Sequence, residues 1–338
     1  MAGSLFPRPA RARSRGGSRG PVSSTTVDVR YEEEQLDVPD RSVVAIGTFD
    51  GVHLGHQAVL RETRALAGTS GARSVVAIFD RHPATVVRPE TAPRLLTDLH
   101  HRIELLAETG VELCFILHFD EERSLQEPED FVREVIAGRL AARALVVGED
   151  FHFGRRRRGD TAVLADLESL YDFKVIGLPL VAREDDEGAI SATAVREALG
   201  RGDVGAAAAM LGRLHEVRGV VEHGDHRGRG IGFPTANVAV PGDIALPADG
   251  VYAGWYEHPS GEVHAAAINL GKRPTFYDHN GLRLLEAHLL DFDGDLYGQH
   301  AKVRFHTWLR GEVKFGSVDA LVERLRRDVN DTRRTLAS

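Results

Sequence analysis

The sequence predicts an α/β chain, with a parallel-sheet domain followed by a small antiparallel β-barrel and a C-terminal helix. Three observations predict it. In the first part, short runs that are apolar throughout alternate with helical patterns, as expected of parallel strands covered on both faces. After about residue 200, apolar runs are separated instead by turns rich in Gly, Asp and Pro, as in an antiparallel barrel. Finally, 338 residues with 42% hydrophobic content leave room for about two such domains with ordinary cores.

The elements follow in order. The opening segment MAGSLFPRPARARSRGGSRGPVSSTT has five Arg within its first 21 residues, no acid, and no apolar stretch of the kind a secretory signal needs. It is expected to be a disordered tail over residues 1–30. The runs SVVAIG, SVVAIF, ELCFILHF, ALVVG and FKVIGL are the strands of the first domain, residues 31–198. The helical patterns between them are HQAVLRETRALAG, PRLLTDLHHRIELLAETG, PEDFVREVIAGRLA and TAVLADLESLY. DVGAAAAMLGRL is the connector, placed at residues 199–212. The second domain, residues 213–338, supplies the strands EVRGVVEHG, GVYAGWYEH, VHAAAINLG, LRLLEAHLLDF and AKVRFHTWL. Val318, Leu321, Val322, Leu325 and Val329 then recur at helical spacing, predicting an amphipathic helix packed on the barrel.

Charge and cysteine usage exclude several classes. Net charge is −8 despite the basic opening segment, so the rest of the chain is more acidic still. Such a body is a poor general binder of nucleic acid or anionic membrane. Cys114 is the only cysteine, which rules out an intrachain disulfide or a thiolate metal site and points to the cytoplasm. Its apolar setting, VELCFILHF, reads as a buried strand position. No apolar run approaches the roughly 18 residues of a membrane span.

Chemistry concentrates at a few stretches. GTFDGVHLGHQAVL (residues 47–60) follows a strand directly, and a strand that stops at glycine and re-enters a helix presents unpaired N–H groups that bind anions. His53 and His56 stand three apart on that helix start and share a face. With no third ligand and no cysteine nearby, zinc is a weak reading. The pattern resembles the H-x-G-H signature of nucleotidylyltransferases, in which histidines and a helix start hold ATP phosphates. Where the nucleophile is a phosphate, its second pKa of about 6 makes a base unnecessary, and donors aimed at the developing charge supply the catalysis. In AISATAVREAL, Ser191 or Thr193 caps a helix, or these hydroxyls and Arg196 grip a triphosphate. VGEDFHFGRRRRGD is another strand-end loop, its four successive Arg a solvated face or an electrostatic clamp.

The second domain carries HGDHRGRGIGFPTANV. Thr235 and Asn237 are neutral oxygen ligands sharing a face of an extended chain, which suits a Mg²⁺ ion that keeps most of its waters and binds ATP oxygens. Glu286 lies on an otherwise apolar strand, sharing a face with Leu284 and His288. It is either a wet edge residue or a base for a substrate hydroxyl.

Over nearly all of residues 40–335 the sequence resembles the bifunctional riboflavin kinase/FAD synthetase family of bacteria. The motifs are GTFDGVHLGHQ, His82–Pro83, VGEDFHFGRRRRGD, SATAVREAL, RGRGIGFPTANV, LPADGVYAGW, INLGKRPTF, LEAHLLDFDGDLYG and LRGEVKF, in that order. The resemblance implies a Rossmann-like FMN adenylyltransferase domain and a riboflavin kinase barrel. ATP with Mg²⁺ converts riboflavin to FMN, and FMN to FAD with release of pyrophosphate. It implies that His53, His56 and Arg196 serve adenylylation, with Gly47, Phe49, Asp50, Gly55, Arg157, Ser191 and Thr193 around ATP. It implies His82, Asp150, Phe151 and Arg310 at flavin, and Glu286 as the kinase base. Arg229, Gly232, Thr235 and Asn237 then take the second ATP, Thr235 and Asn237 with the metal. Small molecules are the expected partners, with no nucleic acid and no membrane, for a monomer or weak homo-oligomer. The chain departs from the family at Ala192, where S-S-T-x-[IV]-R has a second serine, and at Arg81, where a proline is common. Two alternatives stay open: a barrel that only senses flavin, and a first domain acting on another phosphorylated small molecule.

Overall fold

The protein is seen here as a computed structural model that describes residues 26–34, 41–183, 188–224, 230–272 and 283–337. Most of the expected tail lies outside the described residues. However, β1 (Asp28–Tyr31) begins within the segment assigned to it. It pairs in parallel with β4, and Asp28 holds Arg73 at 2.7 Å, so residues 28–30 belong to the sheet.

β2 (Ser42–Ile46), β3 (Arg73–Phe79), β4 (Leu113–Leu117), β5 (Ala142–Gly148) and β6 (Lys174–Leu178) complete a six-stranded sheet in the order β1-β4-β3-β2-β5-β6. Its described pairings are all parallel. β2 and β4 are buried along their whole length, as continuous Val, Ile and Leu runs require between two helical layers. The strand order reverses between β2 and β5, and ligands of open α/β sheets bind outside the strand ends at such a switch point. The loops after β2 and β5, Gly47–His53 and Glu149–Asp160, therefore face one crevice. Cys114 is fully buried on β4, and burial pushes its thiol up to about 12.

The helices of this part are α1 (Leu54–Ser70), α2 (Ala84–Val87), α3 (Leu99–Glu108), α4 (Glu121–Ser124), α5 (Pro128–Phe131, widening to a π-helix over Val132–Arg139) and α6 (Thr161–Tyr171). The helical pattern expected over residues 93–110 starts only at Leu99. Asp98 caps it by accepting from the His101 N–H at 2.7 Å. Leu95 is extended instead, exchanging two 2.7 Å backbone hydrogen bonds with Asp243 and Ala245 of the second half.

α7 (Ala192–Gly200) and α8 (Val204–Leu211) lead into a closed six-stranded barrel of β7 (His215–Glu222), β8 (Ala236–Ala239), β9 (Gly250–Glu257), β10 (Val263–Lys272), β11 (Arg283–Leu289) and β12 (His300–Arg310). The order is β10-β11-β8-β7-β12-β9, and every described pairing is antiparallel. Five strands were legible as separate runs; the sixth, β8, is hidden inside FPTANV. Alternation packs the barrel: Val217, Val238, Ile268, Leu285 and Phe305 point inward. The same cluster includes Leu96, Val195, Leu199 and Met210, so the two halves share one core. An ion pair of 2.6 Å between Glu104 on α3 and Arg218 on β7 also crosses the junction.

α9 (Val318–Leu336) closes the chain against β9, β10 and β12. Its apolar stripe is partly displaced from expectation, since Val318 is exposed while the buried residues are Asp328 and Thr332. Asp328 is buried because it takes two guanidinium groups, Arg310 at 2.7 Å and Arg324 at 3.0 Å.

Candidate active sites

After β2 the backbone turns through three positive-φ residues, Phe49 (48°), Gly51 (75°) and Val52 (40°), before α1 begins. Non-glycine residues held there signal strain that surrounding contacts must maintain. Those contacts are present. Arg102 donates to the Thr48 carbonyl at 2.8 Å, and Arg213 to the Gly51 carbonyl at 2.7 Å. The Asp50 carboxylate, 1% exposed, accepts from the Leu96 and Thr97 backbone N–H groups at 2.9 and 3.1 Å. With its carbonyls taken by buried cations, the turn delivers the start of α1 to the crevice.

His53 is the N-cap of α1, its Nδ1 accepting from the His56 N–H at 3.3 Å. An imidazole that accepts at Nδ1 carries its proton on Nε2. The His53 and His56 rings stack with centroids 3.6 Å apart, and the Phe49 ring lies 4.8 Å from that of His56. Burial, opposed by Asp50 and reinforced by Arg196 and Arg213, lowers His53 to about 4. Burial and the neighbouring His53 push His56 well below its ordinary value. Both rings are therefore neutral donors at neutral pH. His82, after β3, has the same tautomer, its Nδ1 accepting from Ala84 N–H at 3.1 Å, and burial lowers it too. A Cβ added to Gly55 would sit 3.1 Å from the His53 ring and 3.5 Å from the Ile190 carbonyl. The starts of α1 and α7 thus lie side by side, bringing Ser191 to the histidine pair.

Ser191 caps α7, accepting from the Ala194 N–H at 3.1 Å, while Thr193 is exposed on the first turn. Arg196 is not free: it is ion-paired with Asp50 and donates to the Arg94 carbonyl. In the loop after β5, Asp150 and Arg157 are exposed. Phe151 packs on the core and stacks on Phe153 at 5.5 Å. Of the four Arg in that loop, Arg155 and Arg158 share Glu127, at 3.1 and 2.9 Å, whereas Arg156 and Arg157 have no acidic partner among the described residues.

The second site is on the outer wall of the barrel. Register sets Glu286 on β11 directly between Asn237 on β8 and Asn269 on β10. The Asn269 amide donates to one Glu286 carboxylate oxygen at 3.2 Å. These residues and Thr235 line a cavity of about 820 Å³ that α9 covers with Leu321, Leu325 and Val329. Phe233, His288 and Phe315 add apolar and aromatic wall, and the Pro234 carbonyl lies 2.7 Å from His288 Nδ1. Arg310 lines the cavity with its guanidinium held by Asp328. Gly232 is exposed at φ 85° beside this cavity wall; Arg229 lies outside the described residues.

Two family models match the chain: FAD synthetase over residues 36–194 and riboflavin kinase over 211–336. The bifunctional riboflavin kinase/FMN adenylyltransferase of Listeria monocytogenes is 34% identical over 89% of this chain and 94% of its own. The chain belongs to this family. The Bacillus subtilis member is 35% identical over 88% of this chain and 92% of its own. A solved structure titled as a macrolide-efflux protein from Streptococcus pneumoniae is 32% identical, covers 91% of this chain and 99% of its own, and has a TM-score of 0.81. No helix among the described residues of this enzyme is long and apolar enough to cross a membrane.

The enzyme phosphorylates riboflavin to FMN with ATP and adenylylates FMN to FAD, releasing pyrophosphate. Three residues of this kinase/adenylyltransferase escaped the sequence reading. Asn269 sat unnoticed within INLGKRPTF. Arg102 left a faint signal, a cation at the i+3 position of the Leu99–Leu106 apolar stripe. Asp328 left half a signal: Arg324 stands four residues before it on the same helix, but Arg310 becomes its partner only once β12 and α9 meet.

Proposed function

We propose that the two reactions run at two separate sites, kinase chemistry at Glu286 and adenylyl transfer at the paired helix starts of α1 and α7. The observation that carries this is the Asn237–Glu286–Asn269 row, which puts one carboxylate among neutral donors in a cavity of flavin size. Riboflavin's hydroxyl must lose a proton to attack the γ-phosphorus. Glu286 accepts that proton, while Asn269 orients it through one oxygen and leaves the other for substrate. Among the described residues no cluster of three acids, histidines or cysteines offers an all-protein metal cage. The hydroxyl and amide oxygens of Thr235 and Asn237 beside one carboxylate fit Mg²⁺, which favours few protein ligands plus phosphate oxygens and water. Mg²⁺ held there would neutralise phosphate charge, while the protein residues orient the reacting groups.

At the other site FMN brings an oxygen already anionic, so no base is required. The Nε2–H of His53 with the stacked His56, the hydroxyls of Ser191 and Thr193, and the N–H groups at the starts of α1 and α7 meet the negative charge of ATP and leaving pyrophosphate, while the Nε2–H of His82 serves the flavin. Arg156 and Arg157, exposed at the rim, supply positive charge there, and Asp150 and Phe151 border the flavin. Asp50 and Arg196 act as a buried pair that shapes this ATP site. The unit boundary falls within residues 199–212, and the enzyme is a cytoplasmic monomer or weak homo-oligomer that does not bind nucleic acid. Incubating the purified chain with riboflavin, ATP and Mg²⁺ and resolving products by chromatography is expected to show FMN, then FAD. Chelating the divalent cation is expected to stop FMN formation; undiminished FMN would remove the metal from the scheme.

Ala192, at the first position of α7, is half-buried against the shared core. Ser191 already supplies the cap, so a hydroxyl at 192 has value only as a phosphate donor. A charge-assisted hydrogen bond contributes about 1.5–3 kcal/mol, so Ala192→Ser is expected to speed FMN adenylylation by roughly tenfold or more. Riboflavin phosphorylation serves as the unchanged control in the same assay. Equal adenylylation in both proteins would show that the position only packs.

A further inference from the structure

Among the described residues Arg102 is the largest side chain buried to this degree, 1% exposed, yet it sits on α3 of the first half with no carboxylate in salt-bridge contact. Its guanidinium donates to the Thr48 carbonyl at 2.8 Å and to the Phe79 carbonyl at 3.4 Å, and its Nε has no hydrogen-bond partner. Thr48 follows β2 and Phe79 ends β3, so one side chain joins the two loops that carry the His53–His56 pair and His82. The connection continues through contact. Next to Thr48, Phe49 is held left-handed at φ 48°, its ring lies 4.8 Å from His56, and His56 stacks on His53 at 3.6 Å. His56 Nδ1 is itself buried without a partner.

A buried cation without a paired anion is costly, and proteins retain one where a ligand supplies the missing charge or where its field is used. The buried Asp50 carboxylate acts on Arg102 only through space and is already ion-paired with Arg196, so a polyphosphate over the turn would supply the missing charge. We propose that Arg102 is a positioning residue for adenylyl transfer: it clamps the β2 and β3 turns into one unit and holds a fixed positive charge beneath the histidine pair. It does not touch substrate; it sets the angle of the Phe49–His56–His53 stack and favours triphosphate over the turn. This inference rests on the assignment of adenylyl transfer to that site.

Four full-length proteins test it: wild type, Arg102→Gln, Arg102→Lys and His53→Ala. Each is assayed for FMN adenylylation with ATP varied, and for riboflavin phosphorylation as the internal control of folding. Gln keeps a donor for one carbonyl and loses the charge, so its KM for ATP is expected to rise and its kcat to fall, each by roughly tenfold. Lys keeps the charge and has donors for both carbonyls, which share one guanidinium nitrogen, but it lacks the rigid planar fork that fixes their angle, so its KM for ATP stays within about threefold while kcat falls by roughly tenfold. Kinase activity stays within about twofold in both. Adenylylation within twofold of wild type in Arg102→Gln, or equal KM values in the Gln and Lys variants, overturns the proposal. If the Gln variant does not fold, the Lys variant decides alone, and wild-type kcat there overturns the proposal. Undiminished FAD formation in His53→Ala would instead overturn the site assignment beneath it.

Discussion

Replacing Glu286 with glutamine is expected to lower riboflavin phosphorylation by roughly 10²–10⁴-fold while FMN is still converted to FAD near the original rate. The asymmetry comes from proton demand. An alcohol attacks phosphorus only as its proton leaves, and a carboxylate positioned to take it contributes most of that range. Glutamine has the same shape and still accepts the Asn269 amide hydrogen bond, so β10 and β11 keep their register and the cavity its form. Only basicity is lost. Riboflavin affinity is therefore expected to stay near wild type, separating a chemical defect from a binding defect in the KM and kcat values. A variant with near-wild-type kinase turnover would make Glu286 a wall residue.

The reverse pattern is expected of His53→Ala, with FMN accumulating from riboflavin while FAD formation falls by roughly 10²–10³-fold, the usual loss for one preorganised donor facing developing charge. Alanine also removes the N-cap of α1, which costs about 1 kcal/mol of stability. His53→Asn controls for that, because asparagine caps a helix well but does not place a donor where the imidazole Nε2–H stands. Both variants are expected to lose adenylylation, and only His53→Ala to show a lowered thermal transition. Loss of both reactions together in a protein that remains folded would contradict two independent sites.

Much of this was legible in the residues. Apolar runs in the first part could only be parallel strands, because a strand without a polar face must be covered on both sides. The strand-to-helix turn after β2, with His53 at the helix start, was readable because such geometry is local. The Ser191 cap is equally local, its hydroxyl meeting an N–H three residues on. Arg196 and Arg310 were less legible. Both are long cations whose partners, Asp50 and Asp328, lie 146 and 18 residues away, and sequence spacing carries no record of such pairings.

The sequence by itself determined the α/β-then-barrel architecture and most of the order of its elements, because periodicity and turn chemistry act over a few neighbours. Tertiary structure alone decided that Leu95 leaves its helix to pair with the barrel, that Glu286 faces outward between two asparagines, and that Arg102 lies beneath the histidine turn. Each depends on two segments distant in the chain meeting at one register. Such a meeting is chosen by the burial of the shared core and the pairing of otherwise orphaned charges and carbonyls, terms that exist only once the whole chain has packed.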